Sequence, residues 1–170
     1  MSFHFDKFGK KVKLVVISLL NLLIYESEPF RKSYLFDSDL TEKLIYEVYE
    51  PKINETNLLE FFNSLLDTLD DEEVYQFLTR YEGFVSMVKT QLNTKDVRSI
   101  DQRIIVSIID RIVEALMKTE AETATNMLNS LYKDEEFMNK LKQLESHLEA
   151  KNDQGLKSTC SELINRIISD

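Results

Sequence analysis

Between Asn54 and Leu92 apolar residues return at the i, i+3, i+4, i+7 spacing of a helix face three times in succession. Leu58, Leu59, Phe61, Phe62, Leu65, Leu66 and Leu69 form a wide apolar face. Val74, Phe77, Leu78 and Tyr81 form a short one, and Phe84, Val85, Met87, Val88 and Leu92 a third. The joints carry matching chemistry. Asp70 followed by Glu73 is a capping box, in which each side chain satisfies a backbone N–H that the first helical turn leaves unpaired. Gly83 is expected to supply the left-handed backbone that ends one helix and reverses the chain.

The same reading extends to both sides. A helix is expected over 10–25, and Glu28-Pro29 starts a short one to about Leu35, with proline where its missing N–H does no harm. Asp39 with Glu42 reads as a second capping box before a helix over 40–50, which Pro51 stops. A long helix over 99–118 is apolar on most of its circumference (Ile104, Ile105, Ile108, Ile109, Ile112, Val113, Leu116), so it must be covered on two sides. Then come 121–132, a helix capped by Asp134 and running to about Lys151, a turn at Asn152-Asp153-Gln154-Gly155, and 156–168. Residues 1–6 read as loose, with Phe3, Phe5 and Phe8 available to fold back over the first helix. No segment alternates with period two over strand length, so the expected fold class is all-α.

One motif recurs along this series: two apolar residues, a polar one, any residue, then an apolar one. Leu65-Leu66-Asp67-Thr68-Leu69 has copies at Leu19-Leu20-Asn21-Leu22-Leu23 and Ile112-Val113-Glu114-Ala115-Leu116, and a weaker one at Leu163-Ile164-Asn165-Arg166-Ile167. The polar centres Asn21, Asp67, Glu114 and Asn165 are separated by 46, 47 and 51 residues. That interval lies at or just above the ~40–47 residue period of armadillo and HEAT repeats. On these residues the chain resembles the armadillo family. The stretch from Glu82 to Leu92 is similar to the family's pattern of a glycine, an apolar second helix and a polar turn. Ser18-Leu19-Leu20-Asn21-Leu22-Leu23 is similar to its third helix, whose asparagine faces the binding groove. Only the copy at 71–117 carries the glycine, which leaves a looser HEAT-like stacking open.

The resemblance implies one domain over 1–170, a right-handed armadillo-like α-solenoid of about three repeats plus a leading helix. The leading helix would be 10–25 and the repeats about 28–69, 71–118 and 120–169. It also implies a binding surface. Aligned on the motif centre, the last helix of each unit carries a polar stripe: Ser18, Asn21 and Tyr25; Glu60, Ser64 and Asp67; Ser107, Arg111 and Glu114; Ser158, Glu162 and Asn165. Within each helix these lie three or four residues apart and so share a face. In armadillo proteins the equivalent helices line a concave groove, where short polar side chains bond an extended peptide and acids favour lysine and arginine. The same stripe is also what any solvated helix presents to water. The groove tryptophans of peptide-reading members are absent, since the chain has no tryptophan.

Composition narrows the rest. The net charge of −9 argues against nucleic acid as the ligand, because phosphate binding needs a basic surface. The seven acids between Glu60 and Glu82 face one base, Arg80, whereas Lys7 to Lys13 holds four lysines and no acid. Three glycines and two prolines suit helices better than tight β-turns. A lone cysteine, Cys160, excludes an internal disulfide and fits a reducing compartment; with Leu156, Leu163 and Ile164 around it, it reads as a small buried hydrophobe. The run from Val12 to Tyr25 is too short for a bilayer span, which takes ~20 apolar residues. No small-residue cleavage site follows it, and it carries the internal motif, so it reads as a buried helix rather than a signal. Asn54-Glu55-Thr56 reads as a helix start rather than a glycosylated site.

No catalytic constellation emerges. His4 and His147 stand apart, neither with a second donor at i+3 or i+4, so no metal site is expected. There is no glycine-rich phosphate loop and no nucleophile elbow, and no cofactor is expected. The expectation is a non-catalytic protein-binding adaptor or regulatory subunit of the cytoplasm or nucleus. Its acidic groove would take a basic or extended segment of another protein, with no nucleic acid and no membrane involved. The alternative is a compact helical-bundle regulator whose cleft takes one amphipathic helix of its target.

Overall fold

The computed structural model describes residues 9–37, 39–49, 55–94, 100–150 and 154–169. Among these residues every regular element is a helix: α1 (Lys10–Glu26), α2 (Glu28–Asp37), α3 (Asp39–Tyr49), α4 (Glu55–Asp67), α5 (Asp71–Arg80), α6 (Gly83–Thr94), α7 (Ile100–Lys118), α8 (Glu122–Tyr132), α9 (Glu135–Ala150) and α10 (Gln154–Ser169). The expected all-α class is what they form. Pro51, the Lys95-Asp96 linker, the Asn152-Asp153 turn, Asn54, His4 and the three N-terminal phenylalanines lie outside the described residues, as does the side chain of Asp39.

The helix starts follow local chemistry. The Glu73 N–H donates to Asp70 Oδ1 at 2.8 Å and the Asp70 N–H to Glu73 Oε2 at 3.2 Å, closing both halves of the capping box. Asp134 Oδ1 accepts from the Phe137 N–H at 3.0 Å, and Ser27 Oγ from the Phe30 N–H at 3.3 Å. Gly83 is a correction. Its backbone is not left-handed, and it is the first residue of α6. The reversal is absorbed at Tyr81 (φ −114°, ψ 66°), whose N–H returns to Phe77 O at 2.9 Å while its carbonyl takes the Phe84 N–H at 2.8 Å. Gln154 and Gly155, expected in a turn, are instead the first residues of α10.

The packing follows chain order. α1 lies against α4, α4 against α7, and α7 against α10; alongside, α3 lies against α6 and α6 against α9, while α5 and α8 both rest on α7. Leu20, Leu66, Val113 and Ile164, the second apolar residue of each motif copy, are all buried. Edge-on rings knit α4, α5 and α6 together, with Phe62 and Phe84 centred 5.0 Å apart and Phe77 and Phe84 5.1 Å apart. Buried glutamines satisfy helix-end carbonyls: Gln91 Nε2 donates to Val48 O in the last turn of α3, and Gln102 Nε2 to Leu92 O in the last turn of α6, both at 3.3 Å.

The first helix differs from its expectation as a buried element. Ile17, Leu20 and Ile24 are buried, but Val12, Val15, Leu19, Leu22, Leu23 and Tyr25 are exposed. The reason is position: α4 and α2 pack against α1, and these six side chains stand clear of both. Lys13 is carried inside with this face and forms an ion pair with Glu47 of α3.

Two substitutions separate packing from backbone. Leu66→Ala is expected to cost about 2–5 kcal/mol in urea denaturation, because Leu66 is wholly buried between α4 and its neighbours. Gly83→Ala is expected to gain about 0.4–1 kcal/mol, since an added Cβ there meets nothing within 4 Å and the backbone is ordinary. A loss at Gly83→Ala would show that the residue needs glycine's freedom after all.

Candidate functional site

The polar stripe occupies the four helices that pack in series, α1, α4, α7 and α10. Ser18, Tyr25, Glu60, Asp67, Ser107, Ser158, Glu162 and Asn165 are exposed, and Asn21, Ser64, Arg111 and Glu114 are half-buried. Ser18 turns its hydroxyl back to Leu14 O at 3.0 Å, which is the usual local alternative to an outward bond. Asn21 is held more deeply, and its Oδ1 is shielded from solvent without a hydrogen-bond partner among the described residues.

The structure joins the α4, α7 and α10 members through charge. Arg111 is the centre. Its Nη1 pairs with Asp71, its Nη2 donates to Leu69 O at 2.7 Å and its Nε to Leu66 O at 3.4 Å. All three faces of the guanidinium are therefore committed to closing the C-terminal end of α4 and binding it to the start of α5. Lys118 bridges Glu114 at 2.7 Å and Asp71 at 3.3 Å, while Glu114 lies 3.8 Å from Arg111. One turn away, Arg166 of α10 meets Asp110 of α7 at 2.9 Å and Glu162 at 3.8 Å.

These contacts sort the carboxyls into two groups. The Arg111 hydrogen bond holds Asp71 below the usual carboxylate range, and Lys118 does the same for Glu114. Asp67 moves the other way, because burial raises it and the Arg111 charge offsets only part of that. Burial likewise raises Asp110; Arg166 opposes the rise, and the like charges of Glu114 and Glu162 add to it. Acids of α7 thus sense those of α5 and α10: Asp71 acts on Glu114, and Glu162 on Asp110. Asp71, Asp110, Lys118 and Arg166 complete this network and were not singled out from the sequence. The i, i+4 spacings of Glu114 with Lys118 and Glu162 with Arg166 were available signals. The pairs between helices had none.

A second feature lies on another side, between α3 and the α5–α6 turn. It is a cleft of about 910 Å³ lined by Glu42, Lys43, Ile45, Tyr46, Arg80 and Tyr81, among others. Tyr46 is 66% exposed there, and Tyr81 forms part of the floor. Cys160 is buried, and burial pushes its thiol up to about 12, so it is not a nucleophile at neutral pH. No group of His, Cys, Asp and Glu placed to hold a metal ion occurs among the described residues.

Arg111→Ala is expected to lower stability by about 2 kcal/mol at pH 7, because it opens the end of α4 and strands Asp71. Arg111→Lys should recover little of this, since an ammonium cannot reach all three acceptors. Asp71→Asn should cost about 1 kcal/mol at neutral pH, given its partial exposure. A carboxyl whose folded value is depressed stabilises the fold above its unfolded value and loses that contribution as pH falls through the folded one. The deficit of Asp71→Asn should therefore shrink progressively as pH falls below the ordinary aspartate range. Urea midpoints of the three variants at several pH values read these differences directly.

Compared with protein families, curated proteins and solved structures, the chain matches none of them.

Proposed function

We propose that the chain is a non-catalytic protein-binding module. Its helices would be stacked as a short right-handed armadillo-like solenoid, with the stripe on α1, α4, α7 and α10 as the groove. The supporting observation is the serial contact of these four helices, each carrying its stripe residues at or near the surface. The bases of the groove, Arg111, Lys118 and Arg166, are neutralised by acids of the same chain. Glu60, Asp67 and Glu162 stay exposed. A ligand approaching that surface meets net negative charge and short polar side chains, which suits an extended segment rich in lysine or arginine. The protein would then work as an adaptor or regulatory subunit. No described helix is long and apolar enough to cross a membrane, and the buried free thiol of Cys160 suits the reducing cytoplasm or nucleus.

The cleft beside Tyr46 favours a second reading, in which a compact bundle takes one amphipathic helix of its target. Its volume is within the ~300–1,000 Å³ of ordinary ligand sites, and an exposed aromatic beside a buried one gives an apolar anchor point.

Binding of labelled peptides to the full chain distinguishes the two. The groove predicts retention of extended lysine- and arginine-rich peptides over acidic ones. Affinity should fall as salt rises, and Glu60→Lys with Glu162→Lys should cut it by about tenfold without changing the thermal midpoint. Tyr46→Ala should leave it unchanged. Preference for an amphipathic helical peptide, insensitive to salt and lost in Tyr46→Ala, would replace the groove by the cleft. Small-angle scattering adds an independent check, since stacked units give an elongated particle.

A further inference from the structure

The outward face of α1 is apolar and continuous. Val12, Val15, Leu19, Leu22 and Leu23 are each between 41% and 58% exposed. Their spacing of three, four, three and one places them on a single stripe about 16 Å long, on the side of the helix away from Ile17, Leu20 and Ile24. The internal motif says what such a stripe normally meets. Aligned on the motif, Val12, Val15, Leu19 and Leu23 correspond to Leu58, Phe61 and Leu65 in α4 and to Leu69 just past its end. In α7 they correspond to Ile105, Ile108, Ile112 and Leu116. All eight of those residues are buried. The face that α4 and α7 keep dry is the one α1 leaves open, so its fitting occupant is another helix.

The charges of α1 indicate which helix. Lys10 and Lys11 stand in its first turn and Glu26 at its last residue; the first turn has no acid and the last turn no base. That order opposes the helix dipole, which favours acids at the N-terminus and bases at the C-terminus. All three side chains are exposed and form no ion pair among the described residues. Glu26 also continues the apolar stripe, three residues beyond Leu23 and four beyond Leu22. An apolar stripe with a carboxylate at its end fits an anionic lipid surface poorly. It fits an antiparallel copy of itself well. Pairing Val12 with Leu22 of a second copy, and Val15 with Leu19, sets Lys11 within about one helical turn of Glu26 of that copy, twice over by symmetry.

We propose that the exposed face of α1 is a self-association surface, on which two copies of the chain pair through antiparallel α1 helices, with Val12, Val15, Leu19 and Leu22 at the centre and Lys11 facing Glu26 at each end. The contact is one helix wide, below the size of a permanent interface, so the dimer forms reversibly at micromolar concentrations. It leaves the Tyr46 cleft and the stripe on α4, α7 and α10 unchanged, borders the stripe on α1, where Ser18 lies three residues from Val15 and four from Leu22, and does not rest on the proposed function.

Sedimentation of the full chain at low salt, from about 5 to about 200 µM, tests this. The mass should rise with concentration from 20.0 kDa toward twice that value. Leu19→Glu should hold the chain monomeric with unchanged circular dichroism and thermal midpoint, because Leu19 is exposed in the single copy. Lys11→Glu or Glu26→Lys alone should weaken the dimer by about tenfold, and the double variant should restore it, since each swapped charge then meets its opposite. A chain that stays monomeric throughout, or a dimer indifferent to Leu19→Glu, would overturn the proposal. So would a dimer blind to the charge swaps, which would reject the antiparallel pairing. Co-sedimentation of the monomer with phosphatidylserine vesicles, lost in Leu19→Glu, would give the face to a membrane instead.

Discussion

The demand of α7 for cover shapes most of the molecule. Ile105, Val106, Ile108, Ile109, Ile112, Val113, Ala115 and Leu116 are all buried, so the helix must meet neighbours around most of its girth. It is accordingly packed by α4, α5, α6, α8 and α10. One narrow line escapes burial, running through Ser107, Asp110, Arg111, Glu114 and Lys118. The central position of α7 and the polar line on its surface have the same cause. A helix this apolar keeps its charge, apart from Asp101 near its start, on the strip that no neighbour covers, and the charges there pair with adjoining helices or, as Glu114 with Lys118, along the strip itself.

That confinement explains how the helix ends are closed. Few helices here end in a glycine cap. Instead a long polar side chain from another element reaches the last carbonyls: Arg31 to Ile24 O at 2.8 Å for α1, Gln91 for α3, Arg111 for α4 and Gln102 for α6. Each bond satisfies an acceptor that the helix cannot pair internally, and each also fixes the register of one helix on another. With three glycines in the chain, left-handed caps were scarce to begin with. Capping at a distance makes each of these helix ends depend on tertiary packing.

The limits of sequence reading follow from the same distinction. Helix positions, the Asp70–Glu73 box and the Asp134 cap were legible because their causes lie within four residues. The burial of Leu20, Leu66 and Val113 was legible because the motif repeats. Gly83 misled because glycine permits left-handed backbone without requiring it, and Tyr81 took the turn instead. The open side of α1 was not legible either. Val15 and Leu19 have the same pattern as Phe61 and Leu65, and only the presence of a neighbour tells covered from bare. In the stripe, spacing put Arg111 in line with Ser107 and Glu114, but nothing local showed that it would be half-buried with its guanidinium consumed by Leu66, Leu69 and Asp71.

The commitment of Arg111 bears on the electrostatics of the whole stripe. An arginine pointing freely from the middle of an acidic line would repel a basic ligand and divide the surface in two. Here Asp71 and two carbonyls draw the guanidinium inward, Lys118 is held between Asp71 and Glu114, and Arg166 is turned onto Asp110. The acids outside close ion pairs include Glu60 on α4 and Glu162 on α10, which accepts from Ser158 Oγ at 3.2 Å and makes only a weak contact to Arg166. Internal pairing thus cancels the bases against Asp71, Glu114 and Asp110, and the excess acids Glu60, Asp67 and Glu162 remain exposed. The raised values of Asp67 and Asp110 fit this picture, since both carboxyls are partly withdrawn from water, and Asp110 also feels the like charges of Glu114 and Glu162. A cation placed beside them would lower both again, which is the direction in which a basic ligand and this surface would stabilise each other.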